Sequence, residues 1–135
     1  MGKILEIYES RTQQSAQAAK RAEQAVVGGN SRGAAYWTPY PLTIERASGT
    51  TVVDLDGHEY IDITNNYTSL VHSHAYPPIV DAVTRQISAG TAWTANNIWQ
   101  MELGETLIDR IPSVESVRFT NSGSEAGILA LNIAR

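Results

Sequence analysis

The chain has 135 residues and a formal net charge of −4 at pH 7, with 42% hydrophobic residues, 18% charged residues and no cysteine. This composition is typical of a globular domain or of part of a larger one, and the absence of cysteine excludes disulfides, thiol nucleophiles and cysteine-based metal sites. Because Lys and Arg do not cluster, we expect neither a nucleic-acid surface nor a membrane-binding patch.

The N-terminal half of the sequence predicts a helix followed by a small antiparallel sheet. Helix-forming residues fill 2–26, and Gly28-Gly29-Asn30 ends that helix. A loop over 28–41 leads into a β-meander, in which Ser48-Gly49 and Asp56-Gly57 form the turns. The three strands of the meander are predicted over 42–46, 51–55 and 59–63.

Two helices are predicted after a polar and aromatic loop over 64–76. Pro77-Pro78 opens the first and Gly90 closes it, and Asn96-Asn97 supplies N-cap residues for the second, over 98–111. The apolar residues at helical spacing, which should form the buried faces of these helices, are Ile79, Val83 and Ile87 in the first and Leu103, Leu107 and Ile111 in the second.

The most informative segment is a predicted strand over 116–120 that runs through a glycine turn into a helix starting at Ser122. Ser122 and Glu125 have the Ser-x-x-Glu spacing of a capping box. The first turn of a helix offers unpaired N–H groups, Gly123 permits close approach, and the hydroxyls of Ser122 and Ser124 add donors. This pattern suits a phosphate monoester, but it is more often the pattern of a plain helix cap.

The last predicted helix carries Ala126, Ala130 and Ala134 on one face, which suits close packing on a sheet. No stop signal follows this helix before Arg135. We therefore expect an α/β fold that is truncated just after its first strand-turn-helix unit.

Three segments resemble one family, the class III aminotransferases of fold type I. The segment 121–126, Asn-Ser-Gly-Ser-Glu-Ala, resembles their phosphate-binding turn. The segment 28–32, Gly-Gly-Asn-Ser-Arg, resembles the N-terminal loop of the glutamate-1-semialdehyde aminomutase and β-amino-acid aminotransferase branch, and 53–62 is similar to the family's D-x-D-G-x-x-Y-x-D stretch. The resemblance implies an N-terminal helix and loop in 1–30, the small-domain β-meander in 31–75 and the start of the cofactor-binding large domain in 76–135.

The resemblance also implies the binding residues. Ser122, Gly123 and Ser124 would bind the phosphate of the cofactor, pyridoxal 5'-phosphate. Arg32 would bind a substrate carboxylate, for which a guanidinium fork is suited, although a solvated loop arginine gives the same sequence. Tyr67 would lie near the substrate, and packing beside the meander is an equal alternative for it.

The family's chemistry needs a lysine that forms an imine with the cofactor. Lys3 and Lys20 are the lysines of this chain, and neither follows the phosphate-binding turn as the family's lysine does. No catalytic residue is therefore predicted here.

The function implied is amino group transfer, by an aminotransferase or aminomutase. It would run between a carboxylate-bearing amine donor and a keto acid or aldehyde acceptor, in a full-length homodimer. The alternatives are a non-catalytic phosphate-binding module and a structural fragment without a ligand.

His72 and His74 have His-x-His spacing, but without a third ligand we predict turn and packing roles and no metal site. The family has a Gly-His-x-x-Pro-like turn here, from which Ser73 and Tyr76 depart. His58, in the hairpin, is predicted at the surface. The N-terminus lacks a signal-peptide core and no run of about 18 apolar residues occurs, so a cytoplasmic location is expected.

Overall fold

The computed structural model describes residues 2–135, which form two compact units divided between Ser88 and Ala89. The first unit combines two N-terminal helices with a small antiparallel sheet, and the second contains two helices. The first unit comprises α1 (Gly2–Arg11), α2 (Gln13–Ala25), β1 (Ile44–Ser48), β2 (Thr51–Asp54), β3 (Glu59–Ile61), a single turn α3 (Asn65–Thr68), and α4 (Pro77–Ala89), which reaches the boundary. The second unit comprises α5 (Ile98–Arg110) and α6 (Gly123–Ile133).

The three strands form the predicted meander, in the order β1-β2-β3. Gly49 and Gly57, in the two turns, have φ values of 55° and 87°, which side-chain-bearing residues rarely adopt. The strand β1 begins at Ile44 and not at position 42 as predicted. In the register, Ser48 lies opposite Thr51, and Val52 lies opposite Tyr60.

The local signals at the ends of helices are confirmed. Helix α4 begins at Pro77, and Gly90 follows its last residue with a φ of 109°. Asn97 caps α5, because its side-chain oxygen accepts a hydrogen bond from the backbone N–H of Gln100 at 3.0 Å. These ends were predictable because each depends on residues within one turn of the helix.

The single helix predicted over 2–26 is instead two helices that meet at Thr12. Thr12 has a non-helical backbone, with φ −121° and ψ 45°. Its hydroxyl donates to the carbonyl of Tyr8 at 2.7 Å and does not cap the helix that follows. A hydroxyl bonded to the carbonyl four residues earlier favours a bend, and the helix-forming composition around Thr12 does not reveal it.

A carboxylate from the meander caps the start of α2. Asp56, in the turn after β2, accepts hydrogen bonds from the backbone N–H groups of Gln14 at 2.9 Å and Ser15 at 3.2 Å. The first turn of a helix leaves such groups unpaired, and negative charge is favourable there. The hydroxyl of Ser15 accepts a third bond, from the backbone N–H of Thr43 at 3.1 Å. These bonds join α2 to the meander.

The buried core of the described residues is small and mostly polar. Among residues 2–135, Val53 is the one buried hydrophobic residue, and the buried polar residues are Thr12, Ser15 and Asp54. Each of these three polar side chains makes a hydrogen bond, as burial without a partner would be costly. The core therefore lies on β2 and at the start of α2.

The apolar faces predicted to be buried on α4, α5 and α6 are mostly exposed, so that prediction is wrong within residues 2–135. Leu107 is half-buried. The exposed residues of the predicted faces are Ile79, Val83, Ile87, Leu103, Ile111, Ala126, Ala130 and Ala134. An apolar face is buried only where another element covers it, and helical spacing does not supply that element.

The strand predicted over 116–120 is not present. Strand pairing in the described residues is confined to β1–β3 and to one isolated bridge between Gly49 and His74. A strand needs a neighbour for its backbone hydrogen bonds, and this segment has none within residues 2–135. No helix in the same part of the chain is both long enough and apolar enough to span a membrane.

Asp56→Ala should weaken the start of α2, because two backbone N–H groups lose their acceptor. We expect a loss of about 1 kcal/mol in local stability, and so about fivefold faster hydrogen exchange at Gln14 and Ser15. Hydrogen exchange followed by NMR measures this directly. Glu105→Ala, on the exposed surface of α5, is the control and should leave α2 unchanged. Equal exchange in both variants would exclude Asp56 as the cap.

Candidate functional site

The acidic residues of the meander are structural anchors. Asp54 has no solvent exposure, and its carboxylate accepts from the backbone N–H of His58 at 2.8 Å, the His58 ring at 3.1 Å and the Tyr60 hydroxyl at 2.9 Å. Burial works to raise the pKa of Asp54, but the hydrogen bonds from His58 and Tyr60 outweigh it and hold the pKa below its ordinary value. His58, predicted at the surface, is only 27% exposed because its ring meets this carboxylate.

Asp62 anchors the loop that follows β3. Its carboxylate accepts from the backbone N–H groups of Thr64 at 2.9 Å and Asn65 at 2.8 Å, and it lies 2.7 Å from Nε2 of His74. The hydrogen bond with His74 is the main cause that lowers the pKa of Asp62, followed by the bond from Asn65. His74 also exchanges backbone hydrogen bonds with Gly49, at 2.9 and 3.0 Å. The loop is therefore tied to the end of β3 and to the turn between β1 and β2.

The two neighbouring histidines have protein partners, as predicted for turn and packing residues. His74 pairs with Asp62, and the ring of His72 stacks on Tyr76 with centroids 4.9 Å apart. Ser73 between them has a φ of 65°, a conformation that suits glycine. Within residues 2–135, no group of three or more His, Asp or Glu side chains could hold a metal ion.

Tyr67 lies in a turn of left-handed backbone. All four residues of α3 have positive φ: 49° at Asn65, 47° at Asn66, 56° at Tyr67 and 67° at Thr68. Asn adopts this conformation more readily than other side-chain-bearing residues, whereas it strains Tyr and Thr. The Asn65 side chain helps to hold the turn by donating to the carbonyl of Leu70 at 2.6 Å. The turn leaves the Tyr67 side chain 56% exposed.

Arg32 is hydrogen-bonded to the neighbour of Tyr67. Nη1 of Arg32 donates to Oδ1 of Asn66 at 2.8 Å. The Asn30 side chain accepts from the backbone N–H of Arg32 at 2.7 Å and donates to its carbonyl at 2.8 Å. The first unit therefore brings together the segments that carry the two predicted substrate-binding residues. Neither Asn30 nor Asn66 was predicted as part of this site. The Asn-x-Arg spacing is that of an Asx turn and could have indicated Asn30, whereas the sequence carries no signal for Asn66.

An open groove of about 490 Å³ lies on the meander beside Asn66. Its lining combines apolar strand residues with polar loop residues, and includes Trp37, Ile44, Ile61, Asp62, Asn66 and His74. A second groove, of about 570 Å³, follows α2 and is lined by Glu9, Lys20, Glu23 and Tyr40 among others. Neither groove is lined by Arg32 or Tyr67.

The predicted phosphate-binding turn forms the N-terminus of α6 in the second unit. Ser122 is the N-cap, and its hydroxyl accepts from the backbone N–H of Glu125 at 3.2 Å. The carboxylate of Glu125 accepts in return from the backbone N–H of Asn121 at 2.8 Å. The predicted capping-box pair therefore forms, with the Glu bond shifted by one residue. Within residues 2–135, the N–H groups of Gly123 and Ser124 have no acceptor.

The turn fits a phosphate group. A Cβ built on Gly123 would meet no atom within 4 Å, so nothing in the described chain fills the space beside this residue. The backbone of Gly123 is helical, so folding alone does not demand a glycine there. Two unpaired N–H groups, two serine hydroxyls and the positive end of the helix dipole are donors that suit an anion. A groove of about 380 Å³ lies near this turn and is lined by Arg118, Asn121 and Ile128 among others. Ser122, Gly123 and Ser124 do not line it.

Comparison with known sequences gives one family. The model of the class-III aminotransferases matches residues 33–135, a range that includes Tyr67 and Ser122–Ser124 and starts just after Arg32. A β-phenylalanine transaminase from Variovorax paradoxus is 41% identical over 107 residues, which are 79% of this chain and 25% of that protein. A glutamate-1-semialdehyde 2,1-aminomutase from Methanopyrus kandleri is 34% identical over 128 residues, 95% of this chain and 30% of that protein.

Solved transaminase structures share the fold. A β-phenylalanine aminotransferase from Variovorax paradoxus superposes with a TM-score of 0.91 at 35% identity, over 96% of this chain and 30% of that one. A transaminase with PLP bound gives 0.88 at 42% identity, over 92% of this chain and 29% of that one. The chain thus spans 25% to 30% of the length of these four matches.

Tyr60→Phe should raise the pKa of Asp54, because it removes a hydrogen bond to the charged form. A carboxyl whose folded pKa is depressed stabilises the fold above its unfolded pKa, about 3.9, and this stability is lost as pH falls through the folded pKa. The variant should therefore lose this contribution at a higher pH than the wild type. A carbon-13 NMR titration of Asp54 measures the shift.

The matched control for this titration is Tyr36→Phe, because Tyr36 is exposed and its hydroxyl makes no hydrogen bond within residues 2–135. It should leave the pKa of Asp54 unchanged. If Tyr60→Phe also leaves it unchanged, the hydroxyl of Tyr60 does not stabilise the buried carboxylate.

Proposed function

Because this chain belongs to the class-III aminotransferase family, we propose that it forms part of a pyridoxal-phosphate-dependent enzyme that transfers an amino group of a carboxylate-bearing amine. The observation that carries the proposal is the open N-terminus of α6. There the N–H groups of Gly123 and Ser124 lack an acceptor within residues 2–135, in a segment that matches the family. The acceptor of the amino group would be a keto acid or an aldehyde.

Ser122, Gly123 and Ser124 would hold the phosphate of pyridoxal 5'-phosphate. The two free N–H groups supply direct donors, and the Ser122 hydroxyl can donate its own proton while it accepts from Glu125. When bound, the cofactor supplies an electron-withdrawing ring for reactions at the amine-bearing carbon. The contribution of this chain there is to fix the phosphate and so the position of the ring.

Arg32 and Tyr67 would form part of the substrate-binding site. The guanidinium has five N–H donors, and within residues 2–135 its one hydrogen bond is to Asn66, so a two-point contact with a carboxylate remains possible. Tyr67, half exposed on α3, would lie beside the substrate.

The lysine that forms the imine with the cofactor would come from outside this chain. The chain spans 25% to 30% of its relatives, and its lysines, Lys3 and Lys20, precede the phosphate-binding turn. We assign no catalytic residue here and infer that the chain alone is inactive. We also propose the domain plan of fold type I, with helix and loop in 1–30, the small-domain meander in 31–75 and the start of the large domain in 76–135.

The exposed apolar faces support assembly with further protein. Ile87 on α4 is 60% exposed, and Leu131 and Ile133 on α6 are each 74% exposed. Apolar surfaces of this kind usually mark an interface. We propose that the rest of the enzyme and a second subunit of a homodimer cover them.

One observation favours the plainer alternatives. The bond between Ser122 and Glu125 is what an ordinary helix cap makes, with or without a ligand. A non-catalytic module would bind inorganic phosphate and pyridoxal phosphate alike and form no imine. A structural fragment would bind neither.

The decisive experiment incubates the purified protein with pyridoxal phosphate, reduces it with borohydride and measures the intact mass. A chain several times heavier than 14.7 kDa that carries one reduced cofactor is the expected result. Phosphate binding without an adduct would favour the non-catalytic module, and no binding of either ligand would favour the structural fragment.

Gly123→Asp should weaken pyridoxal phosphate binding about a hundredfold, because a carboxylate would then face the phosphate at the helix N-terminus. Titration of the apoprotein, followed by cofactor absorbance, measures the dissociation constant. Gly104→Asp is the matched control: it makes the same change on α5, where an added Cβ likewise meets no atom within 4 Å. Equal affinities for the two variants would exclude the turn at Gly123 as the phosphate site.

A further inference from the structure

One asparagine is hydrogen-bonded to the backbone of Arg32 and another to its guanidinium. The Asn30 side chain bonds both the N–H and the carbonyl of Arg32, at 2.7 and 2.8 Å, and so fixes its backbone. The Asn66 amide oxygen accepts from Nη1 of the guanidinium at 2.8 Å, across 34 positions of the sequence. A long and flexible side chain is thereby held in one direction.

The amide of Asn66 is itself oriented. Its Nδ2 donates to the hydroxyl of Ser69 at 2.9 Å, and that hydroxyl donates to the Asn66 carbonyl at 2.8 Å. With Nδ2 used in this way, Oδ1 is the atom left to face Arg32. Asp62 holds the preceding backbone through the N–H groups of Thr64 and Asn65. The acceptor for Arg32 therefore rests on a chain of bonds that begins at the end of β3.

The partner of Arg32 is neutral, and this has a chemical consequence. Asp or Glu at position 66 would also accept the bond but would form an ion pair with the guanidinium and compete with any other carboxylate. The neutral amide of Asn66 orients the guanidinium of Arg32 without neutralising its positive charge. Four of the five N–H groups of the guanidinium remain without an acceptor within residues 2–135.

We propose that Asn66 is a positioning residue that directs the fork of Arg32 towards the substrate carboxylate without neutralising its charge. This rests on the proposed function of Arg32 as the carboxylate-binding residue. The choice of an uncharged partner makes position 66 a determinant of preference for carboxylate-bearing amines over amines that lack the carboxylate.

A purely structural role for Asn66 predicts a different pattern of variants. Asn66 has a φ of 47°, so the left-handed turn alone could require this residue. Asp and Gly also tolerate positive φ, and both would preserve the turn. Asp keeps the acceptor and adds a charge, whereas Gly removes the acceptor. Comparison of the two variants therefore distinguishes the need for a left-handed turn at position 66 from the effect of a charge there.

The experiment uses the full-length holoenzyme with Asn66→Asp, Asn66→Gly, Arg32→Ala and the double variant Arg32→Ala/Asn66→Asp. The first readout is the KM and kcat for the best carboxylate-bearing amine, starting from β-phenylalanine, and for the carboxylate-free 1-phenylethylamine. The second is the Kd of 3-phenylpropanoate, a carboxylate that cannot react. Melting temperatures check that each variant folds.

Asn66→Asp should raise the KM for the carboxylate-bearing amine and the Kd of 3-phenylpropanoate about tenfold, the effect of one competing charge at a partly solvated site. The kcat should change less than about twofold. Asn66→Gly should raise both constants about threefold, since only orientation is lost. The KM for 1-phenylethylamine should not rise, and Asn66→Asp should add nothing once Arg32 is absent.

The outcomes separate the inference from the function on which it rests. If Arg32→Ala weakens carboxylate binding but Asn66→Asp does not, Asn66 is a turn residue only and the inference is overturned. If Arg32→Ala does not weaken carboxylate binding, Arg32 is not the carboxylate-binding residue and the inference about Asn66 is overturned. The proposed aminotransferase reaction is not affected by that result. If the holoenzyme neither turns over nor forms a reduced adduct, the proposed function itself is wrong.

Discussion

The carboxylate of Asp54 is fully buried, and a charge in that position is stable only when donors surround it. His58 and Tyr60, which follow the tight turn after β2, supply those donors. The buried carboxylate of Asp54 therefore bonds the two sides of the β2–β3 hairpin together. The same hairpin presents Asp56 to α2 and Asp62 to the loop after β3. Both α2 and the loop that carries Asn66, the partner of Arg32, thus depend on the geometry of the hairpin around Asp54.

The acidic motif of the meander can therefore be understood without any ligand. Asp54 closes the hairpin, Asp56 caps a helix and Asp62 holds a loop, each by hydrogen bonds to identified N–H or O–H groups. The N-terminus of α6 differs, because its cap satisfies only part of its donors and leaves those of Gly123 and Ser124 without an acceptor within residues 2–135. Hydrogen bonds within the fold therefore account for the acidic residues of the meander. The N-terminus of α6, in contrast, keeps backbone donors that the fold of residues 2–135 does not use.

Features that depend on neighbouring residues were predictable from the sequence, and those that depend on distant ones were not. The caps at Asn97 and Ser122 followed from residue types within one helical turn. The strand over 116–120 and the buried faces of α4 to α6 failed because each requires a partner surface that periodicity cannot supply. For the candidate site, the resemblance indicated Arg32, but the contact with Asn66 crosses 34 positions and no local pattern encodes it.

Because Asp56 caps α2, this helix gains its cap only after the later hairpin has been synthesised. The helix has 13 residues, a length at which an isolated helix is marginal in water, and its capping acid lies 41 positions beyond Ser15. At ribosomal rates of roughly 5 to 20 residues per second, that acid is synthesised about 2 to 8 seconds later. During synthesis the N-terminal segment should therefore remain a fluctuating helix, open to chaperones and proteases, until the hairpin has formed.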